Sequence, residues 1–174
     1  MKKHITIIAL AMIAIAAAFT GCKKNENNNN GNNDEPVVEK KEYKIHYAVD
    51  TQYPKADSII EFTPCFKANI TYLEANGDTT KLTDVTLPWE KEITVEGPFK
   101  AYIKGNEYYD QSELPETVTY GFYAGFTYQQ LPDGMINIKM RGYCGVAAKD
   151  NFLSQIDRIQ NTLKFESQES LAGK

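Results

Sequence analysis

Beyond its first 21 residues the chain carries one histidine, His46, and two cysteines besides Cys22, namely Cys65 and Cys144. Nucleophilic catalysis needs a histidine within hydrogen-bond reach of a hydroxyl or thiol, and no Gly-x-Ser-x-Gly elbow is present to hold a serine. A pair of His46 with Cys65 or Cys144 is the arrangement that the residue types permit; a solvated strand histidine is the simpler reading. No Cys-x-x-Cys, His-x-x-x-His or calcium-loop pattern occurs, so neither a metal nor another cofactor is expected. Glycoside hydrolysis needs two placed carboxylates, but none stands out among 23 Asp and Glu. No glycine-rich phosphate loop precedes a helix. The chain reads as a protein without an enzymatic activity.

Binding chemistry is better supplied. There are eleven tyrosines, and a tyrosine on an exposed loop suits a sugar ring or a protein partner, being apolar with a polar tip. Tyr108 and Tyr109 lie in an acidic stretch with Glu107, Asp110 and Glu113, read as a loop over 106–116. Tyr123 lies between Gly121 and Gly125 on the face of its strand away from the core. These three are the candidate binding residues. The alternative for Tyr123 is an aromatic covering backbone bared by glycine, and for the pair a loop folded back on the domain. Cys65 and Cys144 are free to pair once Cys22 is modified. An oxidising compartment permits that disulfide, and two buried thiols are the alternative.

The compartment follows from the N-terminus. Met1-Lys2-Lys3 is basic, and Ile5 to Phe19 is apolar except for Thr6. As a helix that run would span about 22 Å, short of the roughly 30 Å hydrocarbon core, so it reads as a signal peptide over 1–21. Ala18-Phe19-Thr20-Gly21-Cys22 resembles a bacterial lipobox, which makes Cys22 the lipidated mature N-terminus. Acyl chains at about 0.8 kcal/mol per buried methylene then hold the protein to a membrane. Residues 22–36 follow as a tether: seven of the nine residues in Asn25–Asn33 are Asn, with nothing apolar to bury. The expected address is the cell envelope, most simply the outer membrane, with its periplasmic and outward faces both open. Without Lys2 and Lys3 the chain has 17 Lys and Arg against 23 Asp and Glu, a net charge of −6. Nucleic acid is a poor partner for such a chain.

The candidate residues need a scaffold, and the pattern over 37–166 is that of strands. Tyr43, Ile45, Tyr47 and Val49 alternate with polar residues; so do Phe66, Ala68, Ile70 and Tyr72. Asn76-Gly77 supplies a hairpin turn before a Thr-rich return strand over 79–87. Trp89, Ile93 and Val95, then Phe99, Ala101 and Ile103, continue the alternation. The longest strand covers 117–129, with Tyr120, Phe122, Ala124, Phe126 and Tyr128 on one face. In 135–144, Ile136, Ile138 and Met140 are expected to face inward. Tyr53-Pro54 reads as a turn and Ser58–Phe62 as a short edge strand. From Asp150, a possible cap, Phe152, Leu153, Ile156, Ile159 and Leu163 follow a helical period to about Phe165. Residues 167–174 are expected to fray. The predicted fold is mainly β, an antiparallel sandwich of immunoglobulin-like general shape with one C-terminal helix; an open barrel is the second choice.

Ile70-Thr71-Tyr72, Asn76-Gly77 and Val85-Thr86-Leu87-Pro88-Trp89, in that order, resemble the core of the MmpS-type small membrane proteins. These are accessory partners of lipid-exporting transporters. The resemblance covers about Ala68–Lys104 and implies a β-sandwich on the far side of a membrane. The chain departs from the family in its lipid anchor, its cysteine positions, its aromatic strand and its terminal helix. Two functional expectations result: a lipid-anchored domain that binds a protein or glycan in the envelope, or, as the resemblance implies, an accessory subunit of an envelope transporter. An envelope enzyme is third.

Overall fold

The computed structural model describes residues 40–173, Cys65 excepted. The leader, Cys22 and the tether lie outside the described residues. In chain order the strands are β1 (Glu42–Asp50), β2 (Gln52–Lys55), β3 (Ser58–Glu61), β4 (Phe66–Leu73), β5 (Thr79–Thr86), β6 (Trp89–Glu96), β7 (Phe99–Tyr109), β8 (Thr117–Gln130), β9 (Ile136–Ala148) and β10 (Lys164–Leu171). Helices α1 (Lys149–Ser154) and α2 (Ile156–Thr162) lie between β9 and β10. Two four-stranded sheets, β6–β1–β8–β9 and β10–β7–β4–β5, enclose the core, and β2–β3 is a separate hairpin. Every pairing is antiparallel. This is the predicted antiparallel sandwich.

Period-two burial explains the central strands. Tyr43, Ile45, Tyr47 and Val49 are buried from the first sheet, and Ala68, Ile70, Tyr72, Ala101 and Ile103 from the second. Such burial contributes about 1.5–3 kcal/mol per large side chain. Tyr47 is fully enclosed, with its ring 5.7 Å from that of Phe126 and 5.5 Å from that of Tyr72. Burial pushes its phenol up to about 12. Trp89 is half-buried, its ring 5.3 Å from that of Tyr72, so Leu-Pro-Trp ends one strand and packs the next against the core.

A second apolar cluster closes one end of the sandwich. Phe62, Phe66, Tyr109, Leu114, Val118, Phe152, Ile159 and Leu163 form it. The helical segment supplies three of these, but not as the single helix expected. Gln155, at φ −113° and ψ 16°, separates α1 from α2, and the chain leaves α2 directly into a strand. Asp150 is in the first turn of α1; the capping position is Ala148, which makes no side-chain cap.

Four further expectations are corrected. The stretch 106–109 continues β7, because Gly105, Glu107 and Tyr109 keep the inward alternation; a glutamate at an inward position disguised it as a polar loop. Residues 167–171 are not frayed: β10 pairs along its length with β7, burying Phe165 and Leu171. Two apolar residues six places apart gave too weak a signal for a strand. Tyr53-Pro54 lies within β2, paired with β3. The inward face of β9 is the opposite of that predicted. Phe126 is opposite Lys139 and Ala124 opposite Arg141, so those polar residues share the inner side, while Ile136, Ile138 and Met140 face outward with Thr127 and Gly125. At this edge of the sheet Lys139 reaches β10, where its Nζ is 2.8 Å from Glu169.

Candidate binding groove

The outer face of the β10–β7–β4–β5 sheet presents alternate residues of its strands. Asn69 on β4 is opposite Asn106 on β7, which is opposite Lys164 on β10; Thr71, Lys104 and Glu166 form the next row. Residues directly opposite share a face with side chains about 5 Å apart. On the β5 side the ladder slips between Ala68 and Ile70. Asp84 sits in that bulge at φ +57°, a left-handed conformation that aspartate visits more readily than most residues. Its backbone N–H donates to Asn69 Oδ1 at 3.3 Å, and its carboxylate accepts the hydroxyl of Tyr108. The bulge thus aims a carboxylate at the ring that the outward register of β7 presents.

The surface beside these residues and α2 is a groove of about 710 Å³, lined by the amides of Asn69, Asn106, Gln160 and Asn161, the carboxylates of Asp84 and Asp157, Tyr108 and Lys164. It adjoins a second hollow of about 470 Å³, where Lys104, Arg141, Lys164 and Glu166 join Asn69 and Asn106. Arg141 arrives from β9, the edge of the other sheet. The ammonium of Lys164 donates to Asn161 Oδ1 at 2.9 Å, tying the start of β10 to α2. Amides, two carboxylates, an ammonium and a phenol provide both donors and acceptors in the groove.

The carboxyl of Glu107 lies behind this wall. It is wholly buried on the inner side of β7, opposite Ala68 and between Ile103 of the main core and Tyr109 of the end cluster. Its backbone N–H donates to the carbonyl of Leu163 at 2.9 Å, but neither carboxyl oxygen has a hydrogen-bond partner among the described residues. Burial, reinforced by the charge of Asp50, pushes it up to about 9, so it is protonated at neutral pH.

The three candidate tyrosines do not converge. Tyr108 alone is in the groove. Tyr109 is in the core, 5% exposed, its ring 5.6 Å from that of Phe66 and 4.5 Å from that of Phe152; it is not a binding residue. Tyr123 lies on the outer face of the other sheet, edge-on to Tyr53 at 5.9 Å. The two rings cover Gly142, directly opposite Tyr123, where an added Cβ would come within 2.3 Å of Tyr53. Tyr123 therefore covers bare backbone, that of Gly142 on the neighbouring strand.

His46 and Cys144 do not form a catalytic pair. They are opposite Thr127 and Gly121 of β8, six residues apart and so about 20 Å along the strand. His46 Nε2 is 3.1 Å from Glu90 on the solvent side. Cys144 is half-buried and has no disulfide partner among the described residues; Cys65, and with it the pairing of the two, lies outside them. No cluster of metal-ligating side chains occurs among the described residues. No helix among them is long and apolar enough to cross a membrane. The sequence reading missed Asn69, Asp84, Asn106 and Lys164, because β10 and the end of β7 were not recognised as strands. The outward period of β4, matched by the same alternation over 102–108, was the signal that could have found them. The chain matches no family model and no curated protein.

Proposed function

We propose that this protein is a lipoprotein of the cell envelope, anchored through acylated Cys22, whose sandwich is a non-enzymatic domain that binds a glycan in the groove beside Tyr108. The observation that carries the reading is the lining of that groove. Sugar hydroxyls both donate and accept, and the amides of Asn69, Asn106, Gln160 and Asn161 answer both roles. The Tyr108 ring offers an apolar surface for a sugar's C–H face, and its bond to Asp84 fixes it at little further entropic cost. The lipobox, apolar leader and Asn-rich tether support the address. Screening the full chain, held in phosphatidylcholine nanodiscs, against immobilised glycans tests the binding. Retention of a glycan that is lost in Tyr108→Ala and Asn106→Ala supports it, and no retention removes it. A fatty-acid analogue should label the wild type and leave Cys22→Ser unlabelled.

A second reading, an accessory subunit of an envelope transporter, draws on another surface. Ile136 and Ile138 are 65% and 66% exposed on edge strand β9, and an apolar stripe beside unpaired backbone suits a protein partner. A photo-crosslinker at Ile138 that recovers a membrane transporter would favour this reading over the first.

A further inference from the structure

The hollow adjoining the groove differs from it in charge. Lys104, Arg141 and Lys164 line it with a single acid, Glu166. Lys164 is two residues from the position opposite Lys104, a diagonal neighbour at about 7–8 Å. Neither Lys104 nor Arg141 enters an ion pair among the described residues; the pairs formed there are Lys40–Glu96, Lys44–Glu92, His46–Glu90 and Lys139–Glu169. The excess extends along the same outer face through Lys67, Lys81 and Lys100. This concentration of cations occurs in a chain whose net charge is −4.

Glu166, directly opposite Lys104, offsets part of this charge, but three cations against one acid leave an excess that repels across the strands, and nothing in the packing of the sheet requires it. A hollow whose low-dielectric walls carry one sign of charge attracts ligands of the other sign. The guanidinium of Arg141 can grip a carboxylate or sulfate through two parallel hydrogen bonds. Asn69 and Asn106 line both hollows, so a chain of sugars lying across them would meet amides at one unit and cations at the next. We infer that the outer face of the β10–β7–β4–β5 sheet binds an acidic glycan, with a carboxylate- or sulfate-bearing unit held among Lys104, Arg141 and Lys164 and a neutral unit beside Tyr108. The inference rests on the glycan reading above and gives it a ligand class.

The test uses the full chain in phosphatidylcholine nanodiscs with four polymers and one lipid surface. Polygalacturonate and chondroitin sulfate carry acidic units; fully methyl-esterified polygalacturonate and dextran do not; vesicles of phosphatidylglycerol offer anionic charge without sugar. At least one acidic polymer should bind at least tenfold more tightly than both neutral ones. Raising the salt from 50 to 500 mM should weaken it by tenfold or more. The combined variant Lys104→Gln, Arg141→Gln and Lys164→Gln should lose at least tenfold in affinity for that polymer, with an unchanged circular dichroism spectrum. Should the triple variant misfold, Lys104→Gln alone should still lose severalfold. Equal binding of acidic and neutral polymers, or binding of neutral ones only, overturns this inference and leaves the glycan reading standing. Preference for the vesicles over every polymer overturns it in favour of a lipid surface. Retention of no glycan, there or in the wider screen, removes both.

Discussion

On the outer face of the β6–β1–β8–β9 sheet, Lys44 Nζ is 2.9 Å from Glu92 and His46 Nε2 is 3.1 Å from Glu90, while Lys40 reaches Glu96 at 2.6 Å. Further along that face, Tyr53 and Tyr123 lie over Gly142, and Phe62 lies against Gly121. On the opposite outer face Lys104, together with Arg141 reaching the hollow from edge strand β9, has no ion-pair partner among the described residues, and Tyr108 borders an open groove. The first face uses its own groups to satisfy its charges and cover its backbone. The second leaves donors, cations and a ring facing water. Exposed ion pairs contribute only about 0–1 kcal/mol, so the pairing on the first face has little effect on stability. What differs between the faces is availability: one has its chemistry engaged within the chain, and the other leaves it open to solvent.

Neighbouring residues of β7 give the largest test of this comparison. Tyr109→Ala should cost about 3–5 kcal/mol, as emptying an aromatic core position does, whereas Tyr108→Ala should cost about 1 kcal/mol or less. Chemical denaturation of both variants checks the pair. A Tyr108 variant as damaged as the Tyr109 one would make the second face structural, like the first.

The interior behind the groove gives the next test. Glu107 has its folded-state value raised from 4.5 to about 9. Between those values the folded state holds a proton that the unfolded state has lost. The contribution of Glu107 to stability is therefore full below about pH 4.5, falls as the pH rises, and levels off above about pH 9. The loss across that window should be on the order of a few kcal/mol. Glu107→Gln should flatten this slope, measured by denaturation at pH 5, 7 and 9. A wild type without the slope would mean an ionised carboxylate beneath the basic face, which would offset its charge and blur the contrast.

Two smaller effects refine the comparison. Glu92→Gln should lower stability by about 0.2–1 kcal/mol, an effect reduced by salt, while Lys104→Gln should be neutral or slightly stabilising because it removes an unpaired cation. Ile138→Ser should stay within about 0.5 kcal/mol of wild type. A loss of 2 kcal/mol or more there would restore the inward orientation that the sequence pattern favours.

Much of the sandwich was legible in the sequence, because β1, β4, β6 and β8 alternate over enough residues for period two to be unmistakable. The orientation of β9 was not. Ile136, Ile138 and Met140 form the more apolar stripe, yet the ladder with β8 sets the register and places Asn137, Lys139 and Arg141 on the inner side, where the sheet edge lets long side chains reach out. Glu107 concealed the end of β7, since a buried carboxyl at an inward position contradicts the usual pattern. With it went the placement of Tyr109 in the core. The groove was legible only in Tyr108; its amides and lysines are brought together by register between strands that are 37 to 58 residues apart in sequence, as in Asn69, Asn106 and Lys164, and no local spacing encodes that.

Lysine footprinting tests the central claim most directly. The full chain in phosphatidylcholine nanodiscs is briefly acetylated with and without a saturating acidic polymer, polygalacturonate or chondroitin sulfate, and each lysine is read by mass spectrometry. The account predicts that Lys104 and Lys164 are shielded severalfold by at least one polymer while Lys40 and Lys44 are modified equally in both states. Shielding centred on Lys40 and Lys44, or no change at Lys104 and Lys164 with either polymer, would contradict it.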